Sequence, residues 1–203
     1  MSGAFPISTA KFETLGIRST QNTIISKSIS GKKLSRQVDN QRFNFTARII
    51  TAKRSDVYGD LMAFIMKQRS SKENFTIIPP EIQNARGTIS GTVLVNGVHT
   101  IGDTTIDVDA MTGNLKAGDF IKFNGHTKIY MVVADVTADG SNEATVTIEP
   151  PLISALANNE AVTYDSVPFT VHLTNDVQDF GVVGADKDGN LLYQFELDVE
   201  ETL

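Results

Sequence analysis

The sequence predicts a mainly β protein: a sheet of strands with one helix packed on it, interrupted by a small inserted all-β barrel or sandwich. Short segments of alternating apolar and polar residues recur between clusters of Gly, Pro, Asn and Asp. A single segment switches to helical period, and near Gly87 the chain turns acidic, rich in Val, Ile and Thr, and dense in turn residues. At 203 residues the chain is long enough for one large domain or two small ones.

Residues 1–40 are polar, with isolated apolar positions such as Phe5, Phe12, Ile17, Ile24, Ile25 and Ile29, which predicts short edge strands and loops. In "RFNFTARIITAKR", Phe43, Phe45, Ala47 and Ile49 alternate with Arg42, Asn44, Thr46 and Arg48, the pattern of a half-buried antiparallel strand. "SDVYGDLMAFIMKQRSS" then repeats its apolar residues at helical spacing and predicts a helix over about 56–69. Ser55 is placed to cap its first turn, and Lys67 and Arg69 suit its negative end. Gly59 costs that helix about 1 kcal/mol relative to Ala, so it must lean on tertiary packing. "NFTIIPPEI" reads as a short strand stopped by Pro79 and Pro80.

Residues 87–166 form the predicted insertion. "TVLVNGVHTI" and "DFIKFNGHTKIYMVV" each place Asn-Gly between alternating segments, which predicts two tight hairpins; a third is expected around Asp139-Gly140. "LISALANNEAV" suggests one short helical turn. In the second hairpin, Ile129, Met131 and Val133 are expected on one face and His126, Lys128 and Tyr130 on the other, where polar side chains could meet a partner. After Pro168, "FTVHLTNDVQDFGVV" and "LLYQFELDVEE" read as two strands joined by a turn at Asp188-Gly189. They have no sheet of their own, so residues 167–203 are expected to pair with 1–86.

Charge is unevenly spread. Residues 1–86 carry a balance of +8 and residues 87–203 one of −14, within an overall net charge of −6. Scattered cations without clustered aromatics point to opposite surfaces meeting, inside the fold or between copies, ahead of nucleic-acid binding. No apolar run approaches the length of a membrane span, and the start lacks the order of a secretory signal, so use in a cytoplasm is expected. The absence of cysteine removes disulfides, thiolate metal sites and thiol nucleophiles.

The remaining motifs do not assemble a catalytic centre. His99, His126 and His172 stand alone without the spacing a zinc site needs. "GTISG" at 87–91 fails the nucleophile-elbow pattern, and "DKDGN" at 186–190 starts like a calcium loop but has its glycine too early and Leu197 where the closing Glu should stand. Asp103, Asp107 and Asp109 lie close in sequence, as an exposed acidic strand does. Neither enzyme activity nor a cofactor nor a metal is therefore expected; the chain reads as a binding or structural component, its polar N-terminal segment ordered by a neighbouring subunit.

"SGKKLSRQVDNQRFNFTARI", "AFIMKQRSSKENFTIIPPEI", "GDFIKFNGHTKIYMVVADV" and "PFTVHLTNDVQDF" resemble tail proteins of tailed bacteriophages, most closely the distal tail or tail-hub type, over most of the chain. The resemblance implies a tail-tube-like β-sandwich assembled as a hexameric ring that joins the tail tube to the baseplate or tip. It implies a virion component, assembled in the host cytoplasm, whose partners are its own copies and the adjacent tube and hub proteins, with viral DNA in transient passage. On that reading Asp186, Asp188 and Glu196 are candidates for the channel lining, and Arg42, Arg48, Lys53 and Arg54 of the basic half would contact an acidic neighbour. A tail-tube, tail-completion or baseplate component of similar fold is the nearest alternative. A carbohydrate- or cell-surface-binding module acting through the insertion is an alternative of another class; it would want exposed aromatics, and the insertion has Phe120, Phe123, Tyr130 and Tyr164. The extra domain is small and inserted, which favours a connector over a receptor binder.

Overall fold

The computed structural model describes residues 3–6, 12–80 and 82–203. The parts of the polar N-terminal segment at 1–2 and 7–11, and Glu81, lie outside the described residues. In chain order the elements are β1 (Phe12–Thr20), β2 (Thr23–Lys27), β3 (Lys33–Gln37), β4 (Arg42–Lys53), a π-helical turn (Arg54–Tyr58), α1 (Gly59–Lys67), a 3-10 turn (Ser70–Lys72) and β5 (Phe75–Ile77). There follow β6 (Leu94–Val95), β7 (Thr105–Asp109), β8 (Asn114–Leu115), β9 (Phe120–Phe123), β10 (Tyr130–Val132), β11 (Val136–Thr137), β12 (Ala144–Glu149) and β13 (Val162–Thr163). The chain closes with β14 (Phe169–Leu173), β15 (Gly181–Ala185) and β16 (Leu191–Glu201). Two compact units result, Met1–Ile77 with Thr170–Leu203, and Ile78–Phe169.

The first unit is built on a sheet ordered β1-β4-β16-β14-β5, with β15 also on β16. β16 is antiparallel to β4 from Leu192 opposite Lys53 to Glu200 opposite Asn44. Along its other edge, β15 pairs with its first half and β14 with its last residues. Alternation puts Phe43, Phe45, Ala47 and Ile49 of β4 and Phe195, Leu197 and Val199 of β16 on one buried face. Burying each of the larger side chains contributes about 1.5–3 kcal/mol.

α1 supplies Leu61 and Ile65 to this core, and Phe64 meets Phe75 of β5 edge to face with centroids 5.3 Å apart. Ser55 makes no capping bond, because a π-helical turn precedes α1 and the Gly59 amide donates to the Arg54 carbonyl. That turn also explains Gly59: a Cβ there would stand 2.7 Å from the Arg54 oxygen. Its helix-propensity cost is therefore outweighed by a steric need that periodicity does not show. The closing segment holds three strands where two were expected, since residues 174–180 leave the sheet between β14 and β15.

In the second unit the sheet β13-β9-β10-β12-β7-β6 curls until its ends nearly meet. Leu94 bridges Ala161, the Val95 amide donates to the Glu160 carbonyl at 2.9 Å, and the Val162 amide donates to the Val93 carbonyl at 2.9 Å. The barrel interior holds Val95, Ile106, Val108, Ile121, Phe123, Tyr130, Val146 and Ile148. β8 and β11 form a separate two-stranded ribbon.

Turn chemistry in this unit departs from the expected pattern. Asn96-Gly97 does not close a tight hairpin: β6 pairs with β7 only after the long connection 96–104, which is held by His99 bridging Leu156. Asn124-Gly125 does separate two paired strands, but with the six-residue connection 124–129. Residues 152–161 form no helical turn; they bridge to β6 and to the loop that follows it. The "GTISG" segment runs beside residues 110–114, with Ser90 and Thr112 exchanging backbone bonds of 2.9 and 3.1 Å. Gly87 and Gly113 are where those backbones touch, and Gly113 also holds a φ of 84°. These glycines serve close approach, not chemistry.

Candidate functional site

In the first unit the turn at 186–190 is organised by Asp186. Its Oδ1 accepts the Asp188 and Asn190 amides at 2.8 and 2.9 Å, and its Oδ2 lies 2.5 Å from Lys53 Nζ at the end of β4. The bond from Lys53, followed by those from Asn190, holds the Asp186 carboxyl well below the usual carboxylate range. The same bond raises the Lys53 ammonium. Asp186 is thus a structural keystone whose charge is matched locally. Asp188 is exposed at the tip of the same turn.

Glu196 stands on the opposite face from Phe195, and pairing brings it beside β4 rather than to the turn. Its carboxylate is 3.3 Å from Arg48, and Glu200 is 2.9 Å from Arg42. Between them Asp198 lies opposite Thr46. The structure therefore assembles an acidic row, Glu196, Asp198 and Glu200, of which only the first was singled out from sequence; the i, i+2 spacing in "FELDVEE" was the available signal. It separates Glu196 from Asp186 and Asp188. Arg42, Arg48 and Lys53 each meet a carboxylate from the C-terminal strands, so part of the charge asymmetry is resolved inside this unit. Arg54 is exposed and lines a shallow pocket with Lys53, Ser55, Asn190, Leu191 and Tyr193.

A groove of about 310 Å³ opens where residues 175–179 pass β15 and β16, lined by Val177, Asp179, Val183, Glu196 and Asp198 among others. Val177 is 85% exposed at its rim. Elsewhere in this unit, β2 and β3 form a hairpin in which every strand residue is exposed. Ile24, Ile25, Leu34 and, at its tip, Ile29 face solvent. Periodicity gives no sign of this, because Ile25 on one face and Ile24 with Leu34 on the other look like any edge segment.

In the second unit, Lys128 and Tyr130 correct the sequence reading: both are fully buried and present no surface to a partner. That alternation holds only for one strand running from His126, whereas β10 begins at Tyr130. Tyr130 and Val132 therefore turn inward, and Val133 is 41% exposed. The Tyr130 hydroxyl accepts the Ile153 amide at 3.3 Å and lies 3.3 Å from His126 Nδ1. His126 is half-buried, with Nε2 3.4 Å from the Ala155 carbonyl.

The other histidines are dispersed: His99 Nε2 accepts the Asp107 amide, and His172 Nδ1 meets the Thr202 hydroxyl at 3.0 Å. Asp103 accepts the Thr100 amide, and Asp107 accepts the Thr145 hydroxyl. Among the described residues no group of three or more His, Cys, Asp or Glu could hold a metal ion. Nor is any helix among them long and apolar enough to cross a membrane.

Residues 81–167 match the family model of the distal tail protein pb9, B domain. The match covers the barrel unit and independently supports the resemblance of this part of the chain to phage distal tail proteins. Among curated proteins, none matches the chain.

Proposed function

We propose that this protein is a non-enzymatic ring component at the distal end of a bacteriophage tail, joining the tail tube to the baseplate or tip around a DNA channel. The observation that carries the reading is the match of residues 81–167 to a distal tail protein domain. A ring is supported by the sheet of the first unit, whose β1 and β15 edges have no partner among the described residues, whereas Ala4 bridges its β5 end. They lie on opposite sides of β4 and β16, so head-to-tail pairing of successive copies in a tail-tube-like arrangement would cover both, and a closed ring leaves none exposed. Six copies is the stoichiometry the resemblance implies.

A wall that passes DNA without holding it must not be basic. Glu196 and Asp186 face cations of their own chain, which leaves Asp188 as the lining candidate with no ion pair among the described residues. A sugar-binding role for the barrel is disfavoured because Phe120, Phe123 and Tyr130 are buried and the Tyr164 hydroxyl is committed to the Gly91 carbonyl. Negative-stain microscopy of the purified full chain tests the proposal: rings of sixfold symmetry with a central hole are expected, and a monomer that persists at high concentration overturns it.

A further inference from the structure

Between Glu13 and Asp39 the chain carries Arg18, Lys27, Lys32, Lys33 and Arg36 and no acidic residue. None of these five cations makes an ion pair among the described residues. Four of them sit on the exposed β2–β3 hairpin, and Lys27 lies directly opposite Lys33. Like charges directly opposite each other destabilise a strand pair, and an isolated two-stranded hairpin is marginal in water. This arm also exposes Ile24, Ile25, Ile29 and Leu34. Its sequence is thus at odds with its solvated state, and a partner that is both acidic and apolar would remove the conflict.

The groove beside β15 has that character. Asp179 and Asp198 make no ion pair among the described residues, and Val177 and Val183 are exposed beside them. The two features belong to different margins of one sheet: the arm leaves from the ends of β1 and β4, whereas the groove lies along β16 and β15. That placement suits a head-to-tail contact, in which each copy gives an arm and receives one.

We propose that the β2–β3 arm of one copy docks in the 175–183 groove of the next by the face that Ile25, Lys27 and Lys33 share, the two lysines meeting Asp179, Glu196 and Asp198 while Ile25 covers Val177 and Val183. The inference rests on the ring reading and names its contact. It moves Glu196 from the channel wall to the subunit interface. Because the contact is charge-paired and partly solvated, assembly weakens as salt rises.

The chain contains no cysteine, so introduced pairs report cleanly. Full-length protein bearing Ile25→Cys is mixed with full-length protein bearing Val183→Cys under mild oxidation, and wild-type mass is measured in parallel by light scattering. A disulfide-linked heterodimer is expected from the mixture. Charge reversal at Lys27 and Lys33 to Glu, or at Asp179 and Asp198 to Lys, should each lower the assembled fraction at least tenfold, and combining the two sets should restore it. A wild-type ring with no heterodimer, or with assembly indifferent to both reversals, overturns the arm contact while leaving the ring. A wild-type monomer at every concentration overturns the ring, and the arm contact with it. Reversal of the arm alone abolishing assembly, without rescue by the groove, also overturns the pairing.

Discussion

Lys53 Nζ and Asp186 Oδ2 lie 2.5 Å apart, tying the last residue of β4 to the turn that launches β16. The contact joins chain segments far apart in sequence, anchoring to β4 a turn whose own backbone bonds run from the Asp186 amide to Asn190 and from the Gly189 amide to Asp186. Asp186 also accepts the Asp188 and Asn190 backbone amides and the Asn190 side-chain amide, so one carboxylate serves both the turn and its anchor.

Acid should expose that dependence. The carboxyls of Asp186, Asp135 and Asp139 are all held below their ordinary value, by Lys53, by Lys116, and by the Glu143 and Ser141 amides respectively. A carboxyl lowered on folding stabilises the fold above its unfolded pKa, about 4, and that stabilisation is lost as pH falls through the folded value. Thermal unfolding followed by circular dichroism should show Asp186→Asn modestly less stable than wild type at pH 7. The difference should close progressively in acid; a gap that persists there would contradict the role given to the carboxylate.

Tyr58 carries the opposite signature. Burial, with the nearby Asp179 charge, pushes its hydroxyl up to about 12. A near-ultraviolet absorbance titration should show a tyrosine ionising about two decades late that is absent in Tyr58→Phe. A proton held more tightly in the fold contributes stability below the ordinary tyrosine pKa and loses it as pH rises toward 12. Tyr58→Phe also frees the Gln194 carbonyl, which accepts from Tyr58 at 2.8 Å, and should cost about 1–2 kcal/mol in denaturant unfolding.

Phe195→Ala tests the core of the first unit. Phe195 is buried at the centre of β16 and stacks on Phe180 with centroids 5.5 Å apart. Removing it leaves a cavity between fixed strands, and a loss of about 3–5 kcal/mol is expected by urea titration.

Gly113→Ala tests the close approach in the second unit. A Cβ would collide with the Thr88 carbonyl, at a residue whose φ of 84° already disfavours side chains. A loss of about 2–4 kcal/mol is expected, as is early proteolysis within residues 78–169. Gly97→Ala, with nothing within 4 Å of its Cβ, should lose only the cost of its φ of 94°.

Elements whose side chains report their own surroundings are legible from the order of residues alone. Phe43 to Ile49 and Phe195 to Val199 alternate because one face of each strand is buried, and period two is visible without knowing what covers it. Leu61 and Ile65 mark the helix for the same reason. Tertiary structure decided whatever depended on a distant neighbour. The inward turn of Lys128 and Tyr130 followed from where the 124–129 connection ends, and the roles of Gly59, Gly87 and Gly113 followed from backbones brought into contact. The spacing in "FELDVEE" carries the acidic row of β16, but its meeting with Arg42 and Arg48 depends on strand register, a pairwise property that alternation along one chain does not specify.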